Sequence, residues 1–253
     1  MKKFKIIISY DGTDYEGWQS QPHKKTIADT LEKTYKKSFG EAIKILGASR
    51  TDSGVHAQGQ IATFSTRLIM EPNKILFIWN NALPKDILIV SIEETSENFN
   101  PLFGVKEKTY FYNIFLSNPN PFIARFGWNY PYINNVNFEI LEKALNLYIG
   151  EHDFRSFCKI EADDPKSTIR TINSITMQKL SNENILQITI KGKSFLRFQI
   201  RRMIGYALDI ARRKDLSIND LKSIIENPSP IQSLTKAESC GLCLKEIIYE
   251  ENK

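Results

Sequence analysis

Phe4-Lys5-Ile6-Ile7-Ile8-Ser9-Tyr10 is a short apolar run that stops at Asp11-Gly12-Thr13-Asp14, so it reads as a strand closed by turn residues. Thr26 with Asp29 three residues on resembles a helix cap. Ile27, Leu31, Tyr35 and Phe39 follow at helical spacing until Gly40. Ala42 to Leu46 and Gln60 to Phe64 are short strand candidates. Pro72 suits a first helical turn, Ile75, Ile78, Trp79 and Ala82 continue that helix, and Leu83-Pro84 ends it. Ile87 to Ile92 is a strand again. The order is β-α-β-β-α-β, the ferredoxin-like arrangement.

The second half follows a comparable order without repeating the sequence. Thr109 to Leu116 is a strand rich in Tyr, Phe and Ile. Asn137 caps a helix with Leu141, Ala144, Leu145 and Tyr148 on one face, ending at Gly150. Ile169 to Met177 and Ile185 to Ile190 form a hairpin around Ser181-Asn182-Glu183-Asn184. Leu196 to Arg213 is the strongest helix pattern, with Ile200, Met203, Ile204, Ala207, Leu208 and Ala211 as its stripe. Ser217 starts a short extra helix, and Leu242 to Tyr249 is the last strand. We therefore expect an α+β fold of two ferredoxin-like (RRM-like) halves, residues 1–105 and 106–253. Their mainly antiparallel sheets would be joined or packed around a central cleft, with helices outside.

Composition narrows the class. A chain of 253 residues with 42% hydrophobic and 25% charged positions has the make-up of a globular protein. No apolar run reaches 18 residues, and the run at Ile6-Ile7-Ile8 is too short for a signal core, so a cytoplasmic protein is expected. Three cysteines exclude a disulfide scaffold. The net charge of +5 is uneven: Lys191 to Lys214 holds eight basic residues and one acid, so the rest of the chain is slightly negative. Such a block reads as a polyanion-binding face or as a solvated helix face.

Gly47-Ala48-Ser49-Arg50-Thr51-Asp52-Ser53-Gly54-Val55-His56-Ala57-Gln58-Gly59 lies between two strand candidates. Three glycines allow backbone shapes other residues resist. Arg50 and Asp52 are two apart, so in an extended stretch they point the same way. They read either as chemistry or as an ion pair tying down a loop. No Gly-Lys-Ser/Thr ending marks a P-loop.

Ser49-Arg50-Thr51-Asp52-Ser53-Gly54-Val55-His56-Ala57 resembles the Gly-Arg-Thr-Asp-x-Gly-Val-His-Ala signature of the tRNA pseudouridine synthase A family. Tyr10 to Gln21 resembles its opening motif, Gly150 to Phe157 a third block and Phe195 to Gly205 a fourth. Gly241-Leu242 with the strand after it resembles the family's ending. The blocks stand in family order along nearly the whole chain.

The resemblance implies isomerisation of uridine to pseudouridine in the tRNA anticodon stem-loop, at tRNA positions 38 to 40. It implies no cofactor and no metal, tRNA as partner, a homodimer, and neither a membrane nor another protein. Asp52 matches the catalytic carboxylate, acting as nucleophile or base. Arg201 matches the basic residue that would pair with Asp52 and favour its ionised form. Tyr110 matches the active-site Tyr that would stack on uracil, although Tyr112 lies on the same strand face and period alone does not rank the two. Arg50 matches the Arg inserted where the target base has left the stack. Lys191, Lys193, Arg197, Arg202, Arg212 and Arg213 would contact phosphates without reading sequence. Glycoside hydrolysis usually needs two carboxylates flanking the bond, and this loop offers one.

Three positions depart from the family pattern. Ser49 often is Gly, and Ser fits if its φ is negative. Leu102 stands where an Arg is common. Ala237-Glu238-Ser239-Cys240 replaces an Ala-Pro-Ala type stretch. His56 is read as a structural hydrogen-bonding residue of the loop. Cys240-Gly241-Leu242-Cys243 is read as strand-end thiols, since zinc would need two further ligands. The competing readings are a non-catalytic RNA-binding protein of RRM-like halves, which lacks the aromatic signature, and a synthase acting on another RNA site. A metal-dependent nuclease lacks its acidic cluster.

Overall fold

The computed structural model describes residues 1–160, 167–180, 184–230 and 233–250. It is a mixed α+β chain of mainly antiparallel strands, in two compact units. One unit comprises Met1–Lys106 with Cys243–Lys253, and the other Glu107–Leu242.

The first unit contains β1 (Lys2–Tyr10), α1 (Ile27–Phe39), β2 (Leu46–Gly47), β3 (His56–Thr66), α2 (Pro72–Ala82) and β4 (Ile87–Glu94). β1 lies between β4 and β3, antiparallel to both, and β2 pairs antiparallel with β3. Phe4, Ile6, Ile8 and Tyr10 are buried at period two, the mark of a strand with one core face. Phe4 sits opposite Phe64, rings 5.5 Å apart. Tyr35 of α1 and Phe64 pack against Trp79 of α2 at 4.9 and 5.3 Å. The Thr26 hydroxyl accepts from the Asp29 N–H at 3.3 Å, and Gly40 closes α1 at φ 73°, as the sequence pattern requires.

The second unit holds most of β5 (Val105–Phe115), then α3 (Phe138–Asn146), β6 (Gly150–Asp153), β7 (Ile169–Leu180), β8 (Ile185–Gly192), α4 (Gln199–Arg212) and α5 (Ile218–Glu226). Its strands run in the order β5-β8-β7-β6, all antiparallel. α4 is buried along nearly its whole length, and Tyr148 donates to the Met203 carbonyl at 3.1 Å. Asn137 caps α3, and Ser217 forms a capping box with Asp220.

Several expectations change. The strand expected over Ala42–Leu46 shrinks to Leu46–Gly47, and the Ile45 N–H just before it donates to the Glu32 carboxylate rather than to a strand. β3 starts at His56 rather than Gln60, so the Asp52 loop runs straight into it. α3 ends at Asn146 rather than Gly150, and Gly150–Asp153 is a strand on β7. α4 begins at Gln199 rather than Leu196, because Phe198 takes a left-handed conformation at φ 66°. The last strand, β9 (Leu242–Tyr249), pairs parallel with β3 through His56–Cys243 and Ala57–Leu244, so it belongs to the first unit's sheet. No local pattern announces a parallel partner nearly 190 residues away. Residues 181–183 of the hairpin turn lie outside the described residues.

Candidate active site

Asp52 sits on a loop clamped from both sides. Thr51 is buried, and its hydroxyl lies 2.7 Å from that of Tyr10. The Trp18 N–H donates to the Thr51 carbonyl at 3.1 Å. Upstream, Gln60 closes a two-way bond with the backbone of Ser49: the Ser49 N–H donates at 3.1 Å, and the Gln60 amide donates to the Ser49 carbonyl at 2.6 Å. Downstream, the Val55 N–H donates to the Asp52 carbonyl at 3.1 Å, with Gly54 between them at φ 75°. That is a turn with glycine where a left-handed residue is required. Gly54 N–H and Ser53 Oγ both donate to the Tyr15 carbonyl. Each buried bond contributes about 1 kcal/mol, so the loop is held as a unit rather than by one contact. With Thr51 turned inward, Arg50 is exposed and Asp52 is half-buried. Arg50 makes no hydrogen bond or ion pair among the described residues.

The opening motif exists to seat this loop. A Cβ on Gly17 would lie 2.7 Å from the Thr51 carbonyl oxygen, and one on Gly12 would lie 2.0 Å from that of Val55. Backbone has little room to yield, so Gly12→Ala should displace the loop and cost about 1–3 kcal/mol of stability. Thermal unfolding checks this, and activity should fall further than folding does. An unchanged melting temperature would mean that the two segments are not in van der Waals contact.

His56 is buried, and its Nδ1 accepts from the Gly12 N–H at 3.1 Å. Asp11 Oδ1 lies 3.1 Å from the same nitrogen, but that oxygen already accepts from the Thr13 N–H and hydroxyl. An Nδ1 that accepts from a backbone N–H joins the opening motif to the start of β3 by a hydrogen bond. His56 is therefore a tie between the two motifs. Ser49 is outside the positive-φ region, which removes the objection to a side chain there.

Tyr110 and Arg201 belong to the second unit. The structure separates the two tyrosines that period could not. Tyr112 is fully buried, its hydroxyl donates to the Glu238 carbonyl at 2.7 Å, and burial pushes its phenol up. Gly241 lies flat on the Tyr112 ring, where a Cβ would come within 2.5 Å. Tyr112 is thus a core anchor for the chain ending, which leaves Tyr110, itself 6% exposed, as the remaining candidate of the two. The Tyr110 ring meets Phe195 edge-on at 5.2 Å. Lys108, two residues earlier on the same strand face, escaped the sequence reading, and burial pushes its ammonium down to about 8.

Arg201 is 7% exposed. Its Nε donates to the Ala237 carbonyl at 2.8 Å, and the Ala237 N–H returns a bond to the Arg201 carbonyl at 3.0 Å. Just before it, Phe198 holds φ 66°, which an aromatic residue adopts at a cost of about 1 kcal/mol or more. Such strain concentrates where geometry serves a function.

The basic block is less uniform than its sequence. Lys191 lies 3.4 Å from Glu107, and Arg202 turns back to the Cys158 carbonyl. Arg212 pairs with Asp209 at 3.3 Å and stacks over Tyr132 at 4.3 Å, while Arg213 pairs with Asp215. Lys193 and Arg197 are exposed. Of the two cysteines spaced C-x-x-C, Cys243 is buried and its thiol is pushed up to about 12 by that burial, which makes it unreactive.

A family model described as tRNA pseudouridine synthase matches residues 6–103 and 144–250. The chain is similar to the tRNA pseudouridine synthase A of Thermodesulfovibrio yellowstonii, with 37% identity over 98% of this chain and all of that protein. It is 34% identical to the enzyme of that name from Streptococcus mutans, over 99% of this chain and all of that one. The Clostridium acetobutylicum protein of the same name is also 34% identical, over 98% of this chain and its own full length.

Proposed function

This chain belongs to the tRNA pseudouridine synthase family and isomerises uridine to pseudouridine in tRNA, and we propose that it does so in the anticodon stem-loop through Asp52. Membership in an isomerase family decides against the non-catalytic RNA-binding reading. In the reaction the N1–C1′ bond breaks, the uracil turns, and C5 bonds to C1′. The proton on C5 is lost and N1 gains one, so nothing external is consumed.

The observation that carries the assignment is the Asp52 loop itself. A half-buried carboxylate sits on a backbone fixed from both sides, beside an exposed Arg50 that makes no hydrogen bond or ion pair among the described residues. In this reading Asp52 is the nucleophile or base, Arg201 pairs with it and keeps it ionised, and Tyr110 stacks on the uracil. Arg50 occupies the space the flipped base leaves. Lys191, Lys193, Arg197, Arg202, Arg212 and Arg213 supply positive potential along the RNA, with Lys193, Arg197 and Arg213 exposed. The two halves are of the ferredoxin-like type, which the strand order β4-β1-β3-β2 of the first unit supports. The protein works in the cytoplasm as a homodimer. A monomer mass by light scattering at concentrations giving full activity would overturn the dimer.

The direct test is incubation with unmodified transcripts of a full tRNA set, followed by mapping of pseudouridine at nucleotide resolution. New pseudouridines should fall in the anticodon arm. Modification confined to another arm would overturn the proposed target while leaving the chemistry intact.

A further inference from the structure

We propose that Thr235 and Asp209 are positioning residues for Arg201: they latch residues 235–237 onto α4, and the Ala237 carbonyl on that segment sets the direction in which the Arg201 guanidinium points. The proposal rests on the role given to Arg201 above and adds the residues that aim it.

Arg201, Gly205 and Asp209 follow one another at four-residue spacing on α4, so they form one stripe along the helix. Residues 235–237 lie along that stripe and meet it at three successive turns. At one end the Ala237 carbonyl accepts from the Arg201 Nε at 2.8 Å, and the Ala237 N–H donates to the Arg201 carbonyl at 3.0 Å. In the middle, a Cβ on Gly205 would lie 2.3 Å from the Thr235 carbonyl oxygen and 2.9 Å from the Ala237 nitrogen, so the segment needs a bare helix surface there. At the other end the Thr235 hydroxyl donates to Asp209 Oδ2 at 2.5 Å. Asp209 is itself held in place: it is 6% exposed, and its Oδ1 accepts from Arg212 Nη2 at 3.3 Å.

A guanidinium is planar, so a bond at Nε fixes the plane and the heading of both Nη groups together. An arginine side chain otherwise samples several rotamers, and ordering it costs entropy. The bond to Ala237 makes that ordering part of folding rather than part of each turnover, which is how a positioned charge gains rate. The segment is also stopped beyond Ala237, where the Glu238 carbonyl accepts from the Tyr112 hydroxyl at 2.7 Å. Thr235 is exposed and has no core to fill, so what its side chain contributes is the bond to a buried carboxylate.

The test is measurement of kcat and KM for pseudouridine formation on an unmodified tRNA transcript with the full-length protein. Thr235→Val keeps the shape of the side chain and removes the donor. It should lower kcat about 5- to 10-fold, with KM and melting temperature close to wild type, and Thr235→Ser should restore kcat. Arg201→Lys keeps the charge and lacks the Nε donor, so in that background Thr235→Val should cost no further rate. Tyr148→Phe removes a buried hydrogen bond to the same helix, at the Met203 carbonyl, and should leave kcat where it was. Wild-type kcat in Thr235→Val overturns the latch. So does an equal loss in Tyr148→Phe, or a full further loss when Thr235→Val is added to Arg201→Lys. Arg201→Ala separates the latch from the reading it rests on. If that variant turns over like wild type, the role of Arg201 fails and the latch has nothing to aim. If it falls while Thr235→Val does not, the latch alone fails.

Discussion

Asp52→Asn should abolish pseudouridine formation on every tRNA while leaving RNA binding and folding in place. Asparagine keeps the size of the side chain and removes only its charge and basicity. The loop is held by Thr51–Tyr10, Ser49–Gln60 and the Asp52–Val55 backbone turn, none of which uses the carboxylate. A group acting as nucleophile or base in the rate-limiting chemistry is worth a factor of about 10³ or more. The measurement is pseudouridine yield against time at saturating tRNA, beside a binding curve and a melting curve for the same preparation. Turnover near wild type would sink the assignment. Loss of folding together with activity would move Asp52 from chemistry to loop architecture.

Arg50→Ala should divide substrates that Asp52→Asn treats alike. Arg50 is exposed and bonded to nothing described in the protein, so its removal should change stability by only about 0.5 kcal/mol. Taking a paired uridine out of the stack costs a few kcal/mol, and less where the base is mismatched or single-stranded. An arginine that fills the vacated space offsets that cost with its planar, multiply donating head. The variant should therefore lose about 100-fold on a uridine inside the anticodon stem. It should lose much less on a loop uridine, or on one opposite a mismatch. Saturating RNA keeps weakened binding from being mistaken for failed flipping. An equal fall on paired and unpaired targets would overturn the flipping role.

Much of this was legible along the chain, for local physical reasons. The caps at Thr26 and Asn137, the left-handed Gly40 and the period-two burial of β1 depend on neighbours a few residues away. The motif loop was legible through its resemblance to the family signature, since Arg50 and Asp52 by spacing alone read equally as an ion pair, and the opening motif that seats it has glycines at 12 and 17 with no room for a side chain.

What needed the tertiary structure depends on distant partners. Period placed Tyr110 and Tyr112 on one face, and only the Glu238 carbonyl and the flat contact with Gly241 marked Tyr112 as the anchor. The Glu32 carboxylate takes the Ile45 N–H just before β2, and a side chain's choice of backbone donor has no periodicity. Net charge made the stretch from Lys191 to Lys214 look like one surface. Folding committed Arg202 to a carbonyl, and Arg212 and Arg213 to carboxylates. It also brought Lys236, outside that stretch, onto the same ring as Arg197. By itself the amino-acid order determined the chemistry, the family and most elements, because these follow from residue type and short-range geometry. The tertiary structure decided that Tyr112 anchors the chain ending and that Arg202, Arg212 and Arg213 have partners within the protein, because such commitments are set by groups distant in the chain.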